Sequence, residues 1–372
     1  MYWDYIFKKG TKKMTTIYLI RHAEAEGNLY RIAHGQYNAN LTPFGFNQLQ
    51  RLQNRFKDIP IDAFYSSDLT RAFLTADCIA QNNNQKVTCL PQLREMHLGV
   101  MENRPFSTLP STLTCIYKKW YHYPANCSVP CGETPTEAAN RIEKAIFDIA
   151  KNNDNKTIVI ASHGMVIGYF LRKVLKVHIN DGKAIGWCDN TAVSKLTFEN
   201  NEFKCEFKND DSHLLGLVHP FISDKWEKMT SSTIKAGSLL NYKFVENEKD
   251  MLVAKTIIGE TDINPITDIN PITLEKSKIL ICYIKDEPYG VCLLEEDNDK
   301  YITTFILTEE IQHLGFMPQL FGQAVMYCRA NNKKALSTWF AKDNIAAKKC
   351  AIKLGFNKVK ENSTKENWEF VV

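Results

Sequence analysis

Apolar runs and amphipathic segments alternate along the chain up to about residue 210. The runs TTIYLI and KTIVIAS are continuous and rich in Ile and Val, which is typical of strands buried on both faces of a parallel sheet. Three segments have the spacing of helices, and the first two begin with Thr followed by Pro, a common helix start. These segments are LTPFGFNQLQRLQNRF, TPTEAANRIEKAIFDIAKN and GMVIGYFLRKVL. The alternation predicts an α/β fold built on a mostly parallel sheet.

The pattern changes beyond about residue 212. A polar, mixed stretch comes first, and the segment KILICYIKDEPYGVCLLEEDNDKYITTFIL then predicts consecutive strands joined by short turns. Two helical segments with a strand between them follow. Because 372 residues are many for one domain, we predict two domains, residues 1–212 and residues 235–372.

Composition and charge exclude several classes of function. The net charge of +4 is small and the basic residues are scattered, so no nucleic-acid partner is expected. No apolar run approaches the roughly 20 residues that a membrane span needs, so no membrane partner is expected. The 11 cysteines lack disulfide-like spacing and no signal peptide precedes them, which predicts a cytoplasmic protein with reduced thiols. The oligomeric state is left open.

Basic side chains follow the predicted strands at their carboxyl ends, where ligands collect in α/β sheets. Arg21 and His22 end the first apolar run, and His163 and Gly164 follow KTIVIAS. A third strand-like segment ends in a Ser pair and places Arg71 on the next helix. The sequence therefore predicts that two arginines and two histidines meet at one edge of the sheet.

These residue types suit phosphoryl transfer without a metal. Two guanidinium groups can neutralise a phosphate dianion, and a neutral imidazole is a good nucleophile toward phosphorus. Glu95 is a candidate general acid for the leaving alkoxide. His122, Cys127 and Cys131 lie close enough in sequence to bind zinc, but their spacing differs from a standard CxxC pattern. We therefore predict no metal site.

Five segments resemble, in the same order, the motifs of the histidine phosphatase superfamily. They run from Ile17 to about Leu196 and are LIRHAEAEGN, YSSDLTRAFLTA, LREMHLGVMEN, VPCGETPTEAANRI and VIASHGMVI. The resemblance implies a phosphoglycerate-mutase-like, three-layer α/β/α domain that works through a phosphohistidine on His22. By the same resemblance, the catalytic residues would be His22, Glu95 and His163, and the phosphate-binding residues would be Arg21, Asn28, Arg71 and Gly164.

The departures from the family pattern favour a phosphatase over a mutase. Mutases of glycolysis carry longer basic insertions that grip a carboxylate, whereas residues 104–130 here are aromatic and only partly basic. Ala23 replaces the usual Gly, and Met101 and Asn103 flank the Glu of the usual WEG motif. The interpretation is a metal-independent phosphomonoesterase for a small phosphorylated metabolite. A phosphoglycerate-type mutase is the alternative.

The second domain resembles the core of the GNAT acetyltransferases. That family has a strand, a turn that opens a helix, a second strand, and then an Asn before a helix that ends in Gly-Phe. The corresponding residues here are Gln312, Gly315 and Asn344, with Gly355 and Phe356 at the end. The resemblance implies a smaller α+β domain that binds acetyl-CoA, with its pyrophosphate at the helix N-terminus.

Two substitutions weaken the acetyltransferase pattern. Met317 occupies the last small position of the turn, and Ala351 stands where a Tyr acid is frequent. The alternative for this domain is a non-catalytic binding or sensor module.

Overall fold

The computed structural model describes residues 14–122, 127–181, 184–186, 188–220, 239–260, 271–312 and 314–372. In the first half of the chain the elements are β1 (Thr15–Arg21), α1 (Glu26–Tyr30), β2 (Ile32–Ala33), α2 (Pro43–Phe56), β3 (Ala63–Ser66), α3 (Thr70–Ala80), β4 (Val87–Cys89), β5 (Arg104–Pro105), α4 (Leu109–Thr112), α5 (Thr114–His122), α6 (Pro135–Lys151), β6 (Thr157–Ser162), α7 (Gly164–Val174), β7 (Val193–Glu199) and β8 (Glu202–Asp210). In the second half they are β9 (Asn241–Phe244), α8 (Glu248–Glu260), α9 (Pro271–Lys276), β10 (Ser277–Ile284), β11 (Glu287–Asp297), β12 (Lys300–Leu307), α10 (Met317–Ala330), β13 (Ala335–Ala341), α11 (Ile345–Leu354), β14 (Asn357–Glu361) and β15 (Lys365–Val371).

The first half is built on a six-stranded sheet in the order β4-β3-β6-β1-β7-β8. The strands β4, β3, β6 and β1 are parallel to one another, and β7 and β8 add an antiparallel hairpin at one edge. The mostly parallel sheet predicted from the apolar runs is therefore confirmed. Because β1 and β6 are neighbours, the residues that follow them lie side by side.

Helices cover both faces of this sheet. Ile17 and Leu19 of β1 share a core with apolar side chains of α6 and α7, whereas Ile20 shares a core with side chains of α2 and α3. The Thr-Pro starts of α2 and α6 are helix caps, since the Thr42 and Thr134 hydroxyl groups each accept a bond from a backbone N–H of the first turn. The result is a three-layer α/β/α arrangement with the strand ends open at one edge.

The second half contains a seven-stranded sheet in the order β14-β15-β13-β12-β11-β10-β9. Its neighbours are antiparallel except for β12 and β13, which are parallel over three residue pairs ending at Ile302 and Ser337. Both strands continue beyond these residues, so they separate and a cavity opens between them. Its lining consists of Thr304, Phe305, Met317, Thr338, Phe340, Ala347, Cys350, Ala351, Leu354 and Phe356.

Helix α1 of the first half packs against helix α10 of the second. Leu29 and Tyr30 belong to the same core as Phe321 of α10, and the rings of Tyr30 and Phe321 lie 5.6 Å apart between centroids. Gly322 makes this approach possible, because a Cβ at that position would lie 2.4 Å from the Cβ of Tyr30. None of the helices in the described parts of the chain has both the length and the apolar character needed to cross a bilayer.

Candidate active site

Adjacent parallel strands bring together three of the predicted site residues, Arg21, His22 and His163. Arg21 at the end of β1 lies opposite Ser162 at the end of β6, and the next residue along each strand is a histidine. The backbone N–H of His22 donates to the Ser162 carbonyl at 2.9 Å. The rings of His22 and His163 are buried, with 5.1 Å between their centroids. The sequence prediction that these strand ends meet is therefore realised in the sheet.

The imidazole of His22 is held in its neutral form. Its Nδ1 lies 2.7 Å from the carbonyl oxygen of Ala23, which can only accept, so Nδ1 carries the hydrogen and Nε2 keeps its lone pair. Burial, and then the positive charges of Arg71 and Arg21, hold the pKa of His22 well below its ordinary value. At neutral pH the imidazole can therefore attack an electrophile.

Arg71 reaches the same place from the first turn of α3. Its Nη1 donates to the Tyr37 carbonyl at 2.7 Å and its Nη2 donates to the Gly35 carbonyl at 2.6 Å, so the loop after β2 fixes the guanidinium. Burial lowers the pKa of Arg71 to about 10, and the carboxylates of Glu95 and Glu102 oppose this shift. The group remains a cation at neutral pH.

Several buried polar atoms at this site have no hydrogen-bond partner among the described residues. They are Arg21 Nε, both ring nitrogens of His163 and both ring nitrogens of His34. The Arg21 side chain is oriented by a bond from its Nη1 to the Cys188 carbonyl. An unsatisfied buried donor costs about 1–3 kcal/mol, so such atoms commonly serve a ligand. A cation beside neutral imidazoles suits an anion with several oxygens.

Glu95 lies in the loop between β4 and β5, and its carboxylate reaches the first turn of α7, which follows His163. Its carboxylate accepts bonds from the backbone N–H groups of Met165 at 3.0 Å, Val166 at 3.2 Å and Met96 at 2.9 Å. Burial raises the pKa of Glu95 above its ordinary value, although these bonds and Arg71 act in the opposite direction. A carboxyl group with a raised pKa suits a general acid.

Gly164 is needed because Arg21 passes close to it. A Cβ at position 164 would lie 3.2 Å from Arg21 Nε and 3.5 Å from Arg21 Cζ. The glycine thus admits the guanidinium to the end of β6.

Asn28 on α1 is held at the pocket through its acceptor atom. Its Oδ1 accepts from the Ala25 N–H at 3.0 Å and from Asn190 Nδ2 at 3.3 Å, and Asn190 Nδ2 also donates to the His22 carbonyl at 2.9 Å. The Nδ2 of Asn28 has no hydrogen-bond partner among the described residues, so this donor can serve a ligand oxygen. Asn190 ties the segment before β7 to the backbone of His22, a contact that sequence reasoning missed.

His34 is the second residue that sequence reasoning missed. It lies near His22, whose pKa it helps to lower, and near Arg71, and its side chain is 8% exposed. Burial lowers the pKa of His34 to about 3, with Arg71 and Arg329 acting in the same direction. In the sequence, His34 is distinguished only by standing directly before Gly35. The structure shows that the carbonyl of this glycine accepts a bond from Arg71.

A metal centre finds no support in the part of the chain that the structure describes. No group of three or more His, Cys, Asp or Glu side chains is arranged to hold an ion there. The zinc alternative involved His122, whose side chain lies outside the described residues, together with Cys127 and Cys131. The predicted absence of a metal stays a prediction.

The predicted residues Gln312, Gly315 and Asn344 of the second domain do not line the cavity between β12 and β13; they precede α10 and α11, two helices that contribute to its lining. Asn344 caps α11, since its Oδ1 accepts from the Ala347 N–H at 3.0 Å. Gly315 has a φ of 79° and so takes a conformation that favours glycine. Gln312 Nε2 donates to the Leu307 carbonyl at 3.0 Å, which commits this side chain to the end of β12. Among the described residues, the cavity is therefore approached by the start of α10 and by the cap of α11.

Comparison with known proteins identifies the class to which this fold and site belong. The sequence profile of the histidine phosphatase superfamily (branch 1) matches residues 17–211, slightly more than half of the chain. The chain therefore belongs to the histidine phosphatase superfamily, whose members are phosphatases or mutases. The match ends at residue 211 and gives no identity to the second sheet.

Individual relatives agree with this assignment. A protein of Proteus mirabilis (strain HI4320) named "Probable phosphoglycerate mutase GpmB" is 32% identical over 210 residues, which cover 55% of this chain and 97% of that protein. A protein of the same name from Erwinia tasmaniensis is 29% identical over 206 residues, 54% of this chain and 95% of that protein. The structure of Bacillus stearothermophilus YhfR has a TM-score of 0.52 at 24% identity and covers 54% of this chain and 99% of its own, which supports the fold alone.

Proposed function

We propose that the N-terminal domain is a metal-independent phosphomonoesterase that acts on a small phosphorylated metabolite through a phosphohistidine on His22. One observation carries the proposal: buried nitrogen atoms of Arg21 and His163 that have no partner within the described part of the chain lie beside the neutral His22. Arg21 and Arg71 would balance the two negative charges of a phosphate monoester. The donors would bind its equatorial oxygens, where charge must be stabilised during transfer.

The reaction would proceed in two steps. First, His22 Nε2 attacks phosphorus, a P–N bond forms as the P–O bond to the alcohol breaks, and Glu95 gives its proton to the departing oxygen. Second, water attacks phosphorus, the P–N bond breaks, and the Glu95 carboxylate accepts the proton from the water. Inorganic phosphate then leaves, and His22 and Glu95 return to their starting protonation states. The raised pKa of Glu95 supports its role as the initial acid.

A phosphoglycerate-type mutase is the second candidate, because two relatives carry that name. A mutase would return the phosphoryl group to a second hydroxyl of the substrate rather than to water. The cations of the insertion, Arg104, Lys118 and Lys119, are exposed. Exposed cations contribute little to a carboxylate grip, since water screens them. This observation favours water as the acceptor.

The nucleophile can be tested by two variants of the full chain. His22→Ala should abolish phosphate release from p-nitrophenyl phosphate, and rapid alkaline quenching should trap a phosphoenzyme only in the wild type, where the bound phosphate should be stable to alkali and lost on acidification. His178→Ala, which changes an exposed histidine, is the matched control and should retain full turnover. Wild-type turnover in His22→Ala would refute the mechanism. Rapid conversion of 3-phosphoglycerate to 2-phosphoglycerate with a bisphosphoglycerate primer would favour the mutase.

We also propose that the C-terminal domain binds acetyl-CoA in the cavity between β12 and β13. The diverging strands would admit a thin arm such as pantetheine, and the turn at Gly315 that precedes α10 would present backbone N–H groups to the pyrophosphate. Within the first turn of α10 itself, Pro318 has no N–H and the Gln319 N–H donates to the Phe316 carbonyl. Met317 and Ala351 both line the cavity. Ala351 cannot donate a proton to a departing thiolate, so binding without acetyl transfer is the expected outcome.

Calorimetric titration of the full chain with coenzyme A tests this second proposal. Met317→Gly should tighten binding, because the loss of a bulky side chain lets the pyrophosphate approach the turn. Met251→Gly, near the start of α8 and outside the cavity lining, is the control and should leave affinity unchanged. If neither the wild type nor Met317→Gly binds coenzyme A, the domain is better regarded as an interaction module.

A further inference from the structure

Helix α1 is a five-residue element that depends on its surroundings for its position. It contains the bond from the Asn28 N–H to the Ala25 carbonyl at 2.9 Å and a longer one from the Leu29 N–H at 3.3 Å. A single turn of helix is unstable alone, because nucleation costs more than one hydrogen bond returns. The contacts of α1 with other elements must therefore determine where Asn28 lies.

The C-terminal domain covers the side of α1 that carries Leu29 and Tyr30. Leu29 and Tyr30 are 7% and 3% exposed and are buried in the core around α10 rather than in the core beneath the phosphatase sheet. Gly322 allows α10 to lie directly against Tyr30. On the pocket side, α1 contacts His34, since a Cβ on Gly27 would lie 2.5 Å from His34 Nδ1. The helix is thus held between α10 and the pocket.

A buried ion pair fixes the first residue of α1 to the end of α10. Arg329 Nη1 donates to Glu26 Oε2 at 2.9 Å, and Arg329 Nη2 donates to Glu26 Oε1 at 2.8 Å. The Glu26 side chain is 3% exposed, so this two-point bond is formed largely out of water. Burial alone would lower the pKa of Arg329, but the Glu26 carboxylate raises it above its ordinary value.

From these contacts we infer that Arg329 is a positioning residue for the phosphatase reaction. It holds Glu26, and through the single turn of α1 it places the Asn28 amide at the phosphate pocket. It also neutralises a buried carboxylate that lies two residues from Asn28, next to a site that must receive a dianion. The inference rests on the proposed phosphatase function of the N-terminal domain. It makes the second domain a structural part of that active site.

The test compares variants of the full chain in turnover of p-nitrophenyl phosphate and in inhibition by orthovanadate, a phosphate analogue that reports pocket geometry. Arg329→Met should lower kcat/KM by roughly a hundredfold, the loss that a misplacement of about 1 Å can cause. Its vanadate inhibition constant should rise in parallel. Arg329→Lys keeps the charge but loses the two-point geometry, so it should recover part of both losses. A purely structural role would lower the melting temperature without changing vanadate inhibition of the folded protein.

Lys333→Met is the matched control, because Lys333 pairs with Glu296 inside the C-terminal domain and does not reach α1. It should keep wild-type kcat/KM and vanadate inhibition. A folded Arg329→Met protein with wild-type values would overturn the inference. If Arg329→Met does not fold, Arg329→Lys and Glu26→Gln provide the test. Wild-type kcat/KM and wild-type vanadate inhibition in both variants would overturn the inference. If the wild type shows no turnover, the proposed function fails, and calorimetric vanadate binding by the same variants still tests the positioning.

Discussion

Lowering the pH from about 7.5 to about 5 should destabilise this protein, and His34 alone should account for about 2 kcal/mol of the loss. The His34 side chain is 8% exposed, and neither ring nitrogen has a partner among the described residues. Burial lowers its pKa from 6.5 to about 3, and the neighbouring cations Arg71 and Arg329 contribute in the same direction. In the unfolded chain the imidazole regains its ordinary pKa.

The direction in which the free energy of unfolding changes with pH follows from which state, folded or unfolded, binds the proton at His34. Between pH 6.5 and about pH 3 the unfolded chain is protonated at His34 and the folded protein is not. The free energy of unfolding therefore has its full value above pH 6.5 and falls as the pH decreases toward about 3. At about pH 5 the solution is roughly 1.5 units below the unfolded pKa, and each unit costs about 1.4 kcal/mol, which gives about 2 kcal/mol.

Urea unfolding at the two pH values gives the loss of unfolding free energy for each protein. The difference between the loss in the wild type and the loss in His34→Gln measures the contribution of His34. His34→Gln has a side chain of similar reach that cannot be protonated, so its loss of unfolding free energy should be about 2 kcal/mol smaller than that of the wild type. His22 and His163, whose pKa values burial lowers in the same direction, should leave part of the acid sensitivity in place. His178→Gln, a change at an exposed histidine, should behave as the wild type. Equal losses in His34→Gln and the wild type would refute the reasoning.

Three further outcomes are expected. EDTA should leave phosphatase activity unchanged, and a loss that one divalent ion restores would revive a metal site. Gly164→Ala should reduce kcat/KM roughly tenfold, because the added Cβ would meet Arg21 Nε at 3.2 Å; unchanged kinetics would mean that Arg21 can move without cost. A chain cut after residue 220 should aggregate or self-associate in sedimentation experiments, because it exposes Leu29 and Tyr30; a stable, fully active monomer would contradict the domain contact described here.

The core of the site could be predicted because it depends on local pattern and on one topological rule. A continuous apolar run predicts each strand, and the residue after the run lies at the carboxyl edge of the sheet. Since β1 and β6 are adjacent and parallel, His22 and His163 meet without any further requirement. Arg71 and Glu95, which come from a helix and a loop, are candidates by their residue types and positions, and the motif resemblance then implies a role for each of them.

The parts of the site that escaped prediction depend on backbone atoms or on distant segments. Arg71 is fixed by the carbonyl groups of Gly35 and Tyr37, and every residue type carries such a group. Asn190 binds the His22 carbonyl across 168 positions of sequence. His34 has no periodic or motif context that distinguishes it from a surface histidine. Such contacts leave no pattern in the sequence near the residues that make them.

Helix α1 shows most clearly why the role of the second domain could not be predicted. Leu29 and Tyr30 lie in a stretch too short to reveal a period, and apolar side chains there fit burial within their own domain equally well. The family pattern carries no information on this point, because 97% of the Proteus mirabilis relative is already covered by a 210-residue match. Two residues of α10 determine how this helix covers α1. Gly322 allows α10 to lie close to Tyr30, and Arg329 binds Glu26, which is 303 positions away in sequence. An ion pair between residues so far apart in sequence is found only in the folded structure, where it joins the packing of Tyr30 against Phe321 in fixing α1 to α10.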